Sequence, residues 1–303
     1  MIKIVNNYEE ANCITHSGTM HADEVFATAF LHLYKGDLRV YRVSEIDLSK
    51  VKEGTLVYDI GRGEFDHHQV EAEKRENGIL YSSIGLLWKA FGKDYLRNNG
   101  YDNIDALFTG IDLDLIEAID ADDNGFFPKI EANYKVKTLS NVIKLFNPGY
   151  KSQEDESEQF LKAVDVAEKI FYEEITYING KVLSDIKVKE LLETYNGTDK
   201  YIVLDEFLPY EETLISDEKY NNIMFVAFPS NRGGYTIKTL PKSSDDKTSR
   251  IPFPKEWAGL VGEELEKASG IKGLKFCHSA RFIMSCKTLD AAYEVLNKLC
   301  QQL

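Results

Sequence analysis

Cysteine is scarce in this 303-residue chain. Cys13, Cys277, Cys286 and Cys300 form no Cys-x-x-Cys pair, which excludes a zinc ribbon and a disulfide framework and leaves four reduced thiols. Long apolar runs are missing too. A stretch such as Ile223 to Phe228 falls far short of the roughly 20 residues needed to span a bilayer. The opening Met1-Ile2-Lys3-Ile4-Val5-Asn6 lacks the apolar core of a signal peptide, so a cytoplasmic location with no membrane attachment is expected. With seven prolines and 43% hydrophobic residues, disorder is excluded as the main state. An excess of positive charge is also absent. The 36 basic and 50 acidic residues give a net charge of −14, which opposes loose attraction to nucleic acid or anionic lipid, and any polyanion must therefore be gripped locally.

What is present is about twice the length of a typical domain. Ala11 to Thr15 reads as a short strand running into the turn His16-Ser17-Gly18-Thr19, followed by a helix from about His21 to Tyr34. Leu38 to Val43 and Thr55 to Tyr58 read as strands, while Ser82 to Phe91 and Asn103 to Ile119 are apolar at helical spacing. Strands alternating with helices imply an α/β fold with a mostly parallel sheet flanked by helices. Helical patterning dominates from about Lys137 to Thr194, and strands return at Tyr201 to Leu204, Ile223 to Phe228, Tyr235 to Leu240 and Phe282 to Cys286, before a helix from Leu289 to Leu299. The expected organisation is a metal-binding domain over 1–150, a helical connection over 151–195, and a smaller α+β domain over 196–303.

Metal-type ligands cluster at the ends of the expected strands: His16 with His21 and Asp23, then Asp59, then Asp66-His67-His68. In an open α/β sheet the strand C-termini line one crevice, so these groups can converge. Asp120 and Asp123 close the apolar helix before Asn124-Gly125. Carboxylates crowded into a partly desolvated crevice are stable only if some are protonated or a cation joins them. A mixed imidazole and carboxylate set suits manganese, with zinc, iron or cobalt as alternatives, and two ions need a shared carboxylate, for which Asp59 is the candidate. Taken singly, His16 or His21 reads as a surface or capping residue, Asp59 as a turn residue before Gly61, and Asp120 and Asp123 as helix-end acids. Their combination favours the ligand reading.

Thr15-His16-Ser17-Gly18-Thr19-Met20-His21-Ala22-Asp23-Glu24, Val57-Tyr58-Asp59-Ile60-Gly61, Phe65-Asp66-His67-His68-Gln69 and Ile119-Asp120-Ala121-Asp122-Asp123-Asn124-Gly125 resemble the signature blocks of the melanocyte proliferating gene family. The likeness continues through Gly234 to Lys238, Arg250 to Leu260, and Gly273 to His278 with Phe282-Ile283, so it covers nearly the whole chain. The family in turn resembles the DHH phosphoesterase superfamily and includes an RNA exonuclease acting 3′ to 5′.

The resemblance implies a DHH-like catalytic domain in which His16, His21, Asp23, Asp59, His67 and Asp120 bind two divalent ions. His21 stands where most of the superfamily has an aspartate. Asp59 would bridge the ions, His68 would face the substrate phosphate, and Asp66 would orient an imidazole. Asp120 is preferred over Asp123 for the fourth block, although spacing leaves both open. Lys238, Arg250, His278 and Arg281 are the candidate phosphate contacts in the carboxy-terminal domain, and Trp257 reads as core. The implied reaction is phosphodiester hydrolysis by a hydroxide shared between two metal ions, on single-stranded RNA, a short oligonucleotide or a nucleotide. The alternatives are a small-molecule phosphatase or pyrophosphatase, and a non-catalytic, metal-stabilised regulatory protein. A homo-oligomer is compatible with the sequence. A protease built on Cys277-His278 is disfavoured, because neighbouring residues on a strand point to opposite faces.

Overall fold

The computed structural model describes residues 1–193 and 195–301. The chain divides into two compact units, Met1–Gly180 and Lys181–Leu303. The fold is α/β, with a parallel sheet in the first unit and a mixed sheet in the second.

The first unit contains β1 (Ile2–Val5), β2 (Cys13–His16), α1 (Ala22–Lys35), β3 (Leu38–Val43) and β4 (Leu56–Val57). These are followed by α2 (Ser83–Asn98), α3 (Ile104–Ile111), α4 (Glu117–Asp123), α5 (Leu139–Ile143) and α6 (Glu156–Leu191), the last of which crosses the division at Gly180. The strands run parallel in the order β1-β3-β2-β4. β2 is an interior strand, and its apolar run Cys13-Ile14 is buried, as expected for a parallel sheet covered on both faces. The β2–β4 register pairs Cys13 with Leu56 and Ile14 with Val57. Two residues further on, at the C-terminal edge, that register sets His16 beside Asp59.

Helix α1 is buried from Ala22 to Leu31. Phe30 meets Trp88 of α2 at 5.3 Å between ring centroids and Phe171 of α6 at 5.7 Å, and Trp88 stacks on Phe108 of α3 at 5.2 Å. Burial of each such ring contributes roughly 1.5–3 kcal/mol, so this aromatic cluster fixes three helices against α1. The apolar stretch expected as one helix from Asn103 to Ile119 is instead α3 and α4 joined by a π turn over Asp112–Ile116. A π turn accommodates an extra residue and resets the facing of everything after it.

The second unit adds β5 (Tyr201–Val203), α7 (Glu211–Ser216), β6 (Phe225–Pro229), β7 (Tyr235–Thr239), α8 (Gly262–Ser269), β8 (Leu274–Cys277), β9 (Ile283–Cys286) and α9 (Leu289–Cys300). Its sheet order is β5-β6-β7-β9-β8, with β5 parallel to β6 and the remaining pairs antiparallel. Ile237, Met284 and Phe225 pack with Trp257, Val295 and Leu296 on one side of the sheet, whereas Val226 and Phe228 join Val188 and Leu214 on the other. Strand β8 was not among the expected strands. A register shift against β9 between Leu274 and Phe276 breaks its alternation, and so removes the period-2 signal by which a strand is read. All four cysteines are unpaired. Among the described residues, no helix is long and apolar enough to cross a membrane.

Candidate metal centre

The centre is assembled at the C-terminal edge of the parallel sheet in the first unit. His16 ends β2, Asp59 follows β4, and Asp23 and Glu24 occupy the first turn of α1. His67 and His68 come from the loop after Asp59, and Asp123 ends α4. Asp59 is held with φ at 55°, a left-handed conformation that aspartate tolerates better than most side chains. Its amide donates to the Phe65 carbonyl at 3.0 Å, which closes the loop that returns Asp66 and His67 to the site.

The two oxygens of Asp59 face different imidazoles. Oδ2 lies 3.0 Å from His16 Nε2, and Oδ1 lies 3.2 Å from His67 Nε2. Glu24 Oε1 is 3.4 Å from His16 Nε2, while Asp123 Oδ2 and Asp23 Oδ2 are 3.2 and 3.8 Å from His67 Nε2. Asp23, Glu24 and Asp59 are buried, and the side chains of His67 and Asp123 are only 7% and 13% exposed.

Hydrogen bonding fixes both imidazole tautomers. His16 Nδ1 sits 3.1 Å from the Ser17 carbonyl, which only accepts, so the proton belongs on Nδ1. His67 Nδ1 sits 3.2 Å from Asn124 Oδ1, and the Asn124 amide nitrogen donates to the carbonyls of Leu80 and Asp120. That network leaves Oδ1 facing the ring. Both Nε2 atoms therefore carry a lone pair toward carboxylate oxygens. His16 Nε2, His67 Nε2, Asp23 Oδ1 and Asp59 Oδ1 are all buried without a hydrogen-bond partner among the described residues. Acceptors meeting acceptors at this range require a proton or a metal cation between them, and the donor set of imidazole nitrogen and carboxylate oxygen fits a divalent transition metal.

The electrostatics point the same way. Burial, then the charge of Asp59, raises the Asp23 carboxyl, and burial with the charges of Asp23 and Asp59 lifts Glu24 well above its ordinary range. Asp123 is pushed up to about 8 by burial and by Asp23. Burial opposes protonation of His67, but the facing Asp59 carboxylate and the charges of Asp23 and Asp123 outweigh it and raise the ring to about 9. Ionisation of Asp59 is also disfavoured by burial, yet the imidazoles of His16 and His67 facing its two oxygens bring it down to about 2. Crowded like charges are thus eased by holding protons, a role a dication fills better.

Other expected residues are placed as follows. His21 offers a ligand atom within 4.8 Å of those of His16 and Glu24, and likewise of those of Asp23 and Asp123. His68 is 59% exposed, and its Nδ1 is 2.8 Å from Asp66 Oδ1 and 3.6 Å from Asp59 Oδ1. Asp66 is buried and accepts from the Arg62 and His68 amides, so it orients His68, while Asn124 orients His67. Asp120, expected to complete the set, instead accepts from Ser82 N–H and Oγ–H and from Arg75. Asp123, three residues on, is the acid that faces His67. Glu24 was not singled out in the sequence, where an acid at the third helical position reads as a cap, and its carboxylate does accept from the His21 amide.

Lys238, Arg250, His278 and Arg281 lie in the second unit. Arg250, expected to grip phosphate, has its guanidinium committed to the carbonyls of Leu214, Tyr220, Ile223 and Pro241. Arg281 Nη1 donates to the Phe253 carbonyl, and His278 Nδ1 accepts from the Ala280 amide. Lys238 is a partly exposed residue of β7. Trp257 is buried.

The model of a family described as Uncharacterised protein family (UPF0160), under the name MYG1_exonuc, matches residues 12–299. The chain belongs to this melanocyte proliferating gene (MYG1) family. It is 30% identical to the MYG1 protein of Dictyostelium discoideum, over 95% of this chain and 96% of the relative. The MYG1 protein of Chlamydia trachomatis serovar D is likewise 30% identical over 95% and 96%. The human relative, named MYG1 exonuclease, is 28% identical over 92% of this chain and 82% of its own length. No solved structure matches the chain.

Proposed function

We propose that the chain is a metal-dependent phosphodiester hydrolase, a cytoplasmic 3′ to 5′ exonuclease on single-stranded RNA or short oligonucleotides. The observation that carries this reading is the Asp59 carboxylate, with one oxygen toward His16 and the other toward His67. The human relative's name, MYG1 exonuclease, supports the choice of substrate class.

Two divalent ions would be held on either side of Asp59 in this reading. His16 and Glu24 flank one side, His67, Asp23 and Asp123 flank the other, and His21 stands near both. Asp123, rather than Asp120, would serve as the fourth-block ligand, because its Oδ2 lies 3.2 Å from His67 Nε2. Four ionised carboxylates with two neutral imidazoles balance the charge of two dications, manganese being the first choice. When bound, such ions supply Lewis acidity at phosphorus and make water nucleophilic at neutral pH. The protein's own residues do the rest. Ser83 donates through Oγ to Asp23 Oδ2 at 2.9 Å, which holds the carboxylate while its buried Oδ1 has no hydrogen-bond partner among the described residues. Asp66 accepts from His68 Nδ1, and Nε2 of this exposed ring, when protonated, would donate to a phosphoryl or leaving-group oxygen.

The test is a substrate panel with manganese: 3′-labelled and 5′-labelled single-stranded RNA and DNA, the matching duplexes, a dinucleotide, and inorganic pyrophosphate. The expected result is loss of the 3′ label first and a ladder shortening from the 3′ end. Turnover of pyrophosphate with intact oligonucleotides would overturn the proposal in favour of a small-molecule phosphatase. Inert substrates throughout would favour a regulatory protein.

A further inference from the structure

We propose that residues 126–137 form a strap that holds the nucleobases and backbone of the single-stranded substrate beside the metal centre. The inference rests on the exonuclease reading and adds the substrate-gripping element. The strap springs from the last turn of α4, the same turn that carries Asp123. Gly125 takes φ at 75°, and the Phe126 amide caps the helix on the Ala121 carbonyl at 2.8 Å. The chain then runs without regular structure to Thr138, whose hydroxyl donates to Asp122 Oδ2 at 2.9 Å and whose oxygen caps α5. Both ends of the strap are therefore pinned beside one helix end, one residue from a candidate ligand.

Its composition is unlike the rest of the acidic surface. Phe126, Phe127, Ile130, Tyr134 and Val136 are all exposed, Phe127 at 67% and Tyr134 at 72%. Interleaved with them are Lys129, Lys135 and Lys137 against the single acid Glu131. None of the three lysines is paired with an acid among the described residues. Apolar side chains exposed in this density mark a surface made for contact, and aromatic rings alternating with cations is the pattern of single-stranded nucleic-acid binding, in which bases stack and ammonium groups follow the phosphates. In a chain of net charge −14, a locally basic strap is where a polyanion is complementary.

A groove of about 460 Å³ opens between the base of the strap and the flank of α4. Phe126, Phe127 and Pro128 form one wall, and Leu113, Ile79 and Ala118 contribute to the rest. Two acids, Glu117 and Asp122, also line it. Glu117 accepts from the Asn77 amide and Asp122 from Thr138. Apolar walls with carboxylate acceptors suit the flat face and exocyclic amine of a base and disfavour a phosphate, so the base enters the groove while its phosphate lies along the lysines.

The test uses the full chain with manganese, the double variant Phe126→Ala/Phe127→Ala, the conservative Phe127→Tyr, and the triple variant Lys129→Gln/Lys135→Gln/Lys137→Gln. Each is first shown to keep the parent's thermal midpoint and its manganese affinity by calorimetry. Binding of a fluorescein-labelled single-stranded oligonucleotide of about eight nucleotides is then followed by anisotropy. The double alanine variant is expected to weaken binding about 10–100-fold, with Phe127→Tyr close to the parent. The triple variant should flatten the dependence of affinity on salt. If the parent cleaves and binds oligonucleotides while all the variants bind equally well, the strap proposal falls and the exonuclease reading stands. If the parent neither binds nor cleaves them, both fall. Loss of a concentration-dependent dimer in the alanine variant, with oligonucleotide affinity unchanged, would reassign the patch to self-association and overturn the proposal.

Discussion

Two acidic clusters lie within the first unit, each with acids that are buried, and they resolve the same problem differently. In one, Arg75 donates to both oxygens of Asp112 and to Asp120, lies near Glu117, and packs over the Tyr81 ring at 4.6 Å. Every acid there has a cation supplied by the chain. In the other, Asp23, Glu24, Asp59 and Asp123 are crowded around two imidazoles whose Nε2 atoms have no hydrogen-bond partner among the described residues. The nearby guanidinium of Arg42 is engaged with the His16 and Gly18 carbonyls and with Glu156. Burial of acids alone therefore does not mark a functional site. The mark is burial without a resident countercharge.

Three experiments break or sharpen that contrast. The largest effect is expected from Arg75→Met, which strips the guanidinium from buried Asp120 and half-buried Asp112 and should cost about 3–5 kcal/mol in denaturant unfolding, with or without manganese. A loss that manganese restores would make the two clusters one system. Next is Asp59→Asn, which keeps a side chain tolerant of the left-handed backbone but removes the shared charge. Turnover should drop on the order of 10²–10³-fold. The stabilisation that manganese gives the parent, about 2.7 kcal/mol at a hundredfold excess over Kd, should vanish. An unaltered manganese-induced rise in Tm would exclude Asp59 from the centre.

The smallest effect is a pH slope. In chelator, Asp123 at about 8 and His67 at about 9 retain protons in the folded state that their unfolded counterparts, at 3.8 and 6.5, have released. The folded state binds more protons, so stability falls as pH rises between about 4 and 9, by about 1.4 kcal/mol per pH unit for each retained proton. Asp59 runs the other way, and its contribution is lost only as pH falls toward 2. Manganese should flatten the slope, whereas Arg75→Met should leave it in place. Unfolding curves across that range, with and without metal, provide the check.

Much of the centre was legible because parallel strands deliver their C-terminal residues to one edge, which made His16, Asp59 and His67 natural companions. The choice between Asp120 and Asp123 was not legible. They lie one helical turn apart on the same face, and the π turn before α4 changes how deeply each is set. Arg75 was hidden for another reason: in the run Lys74-Arg75-Glu76 nothing separates a buried cation from a solvated one. Glu24 was masked by its second task as a cap. In the fold, β8 was hidden by the register shift against β9 that breaks its alternation.

One absent methyl group links the two clusters. A Cβ on Gly85 of α2 would sit 2.3 Å from Asp120 Oδ2, in a place where Ser82 and Arg75 leave that carboxylate no freedom to retreat. Any larger residue would wedge α2 away from α4, carrying Ser83, which donates to Asp23, away from the helix that bears Asp123. The spacing of the putting-together of this centre is thus set by how close two backbones can come, at a position bearing no chemistry of its own.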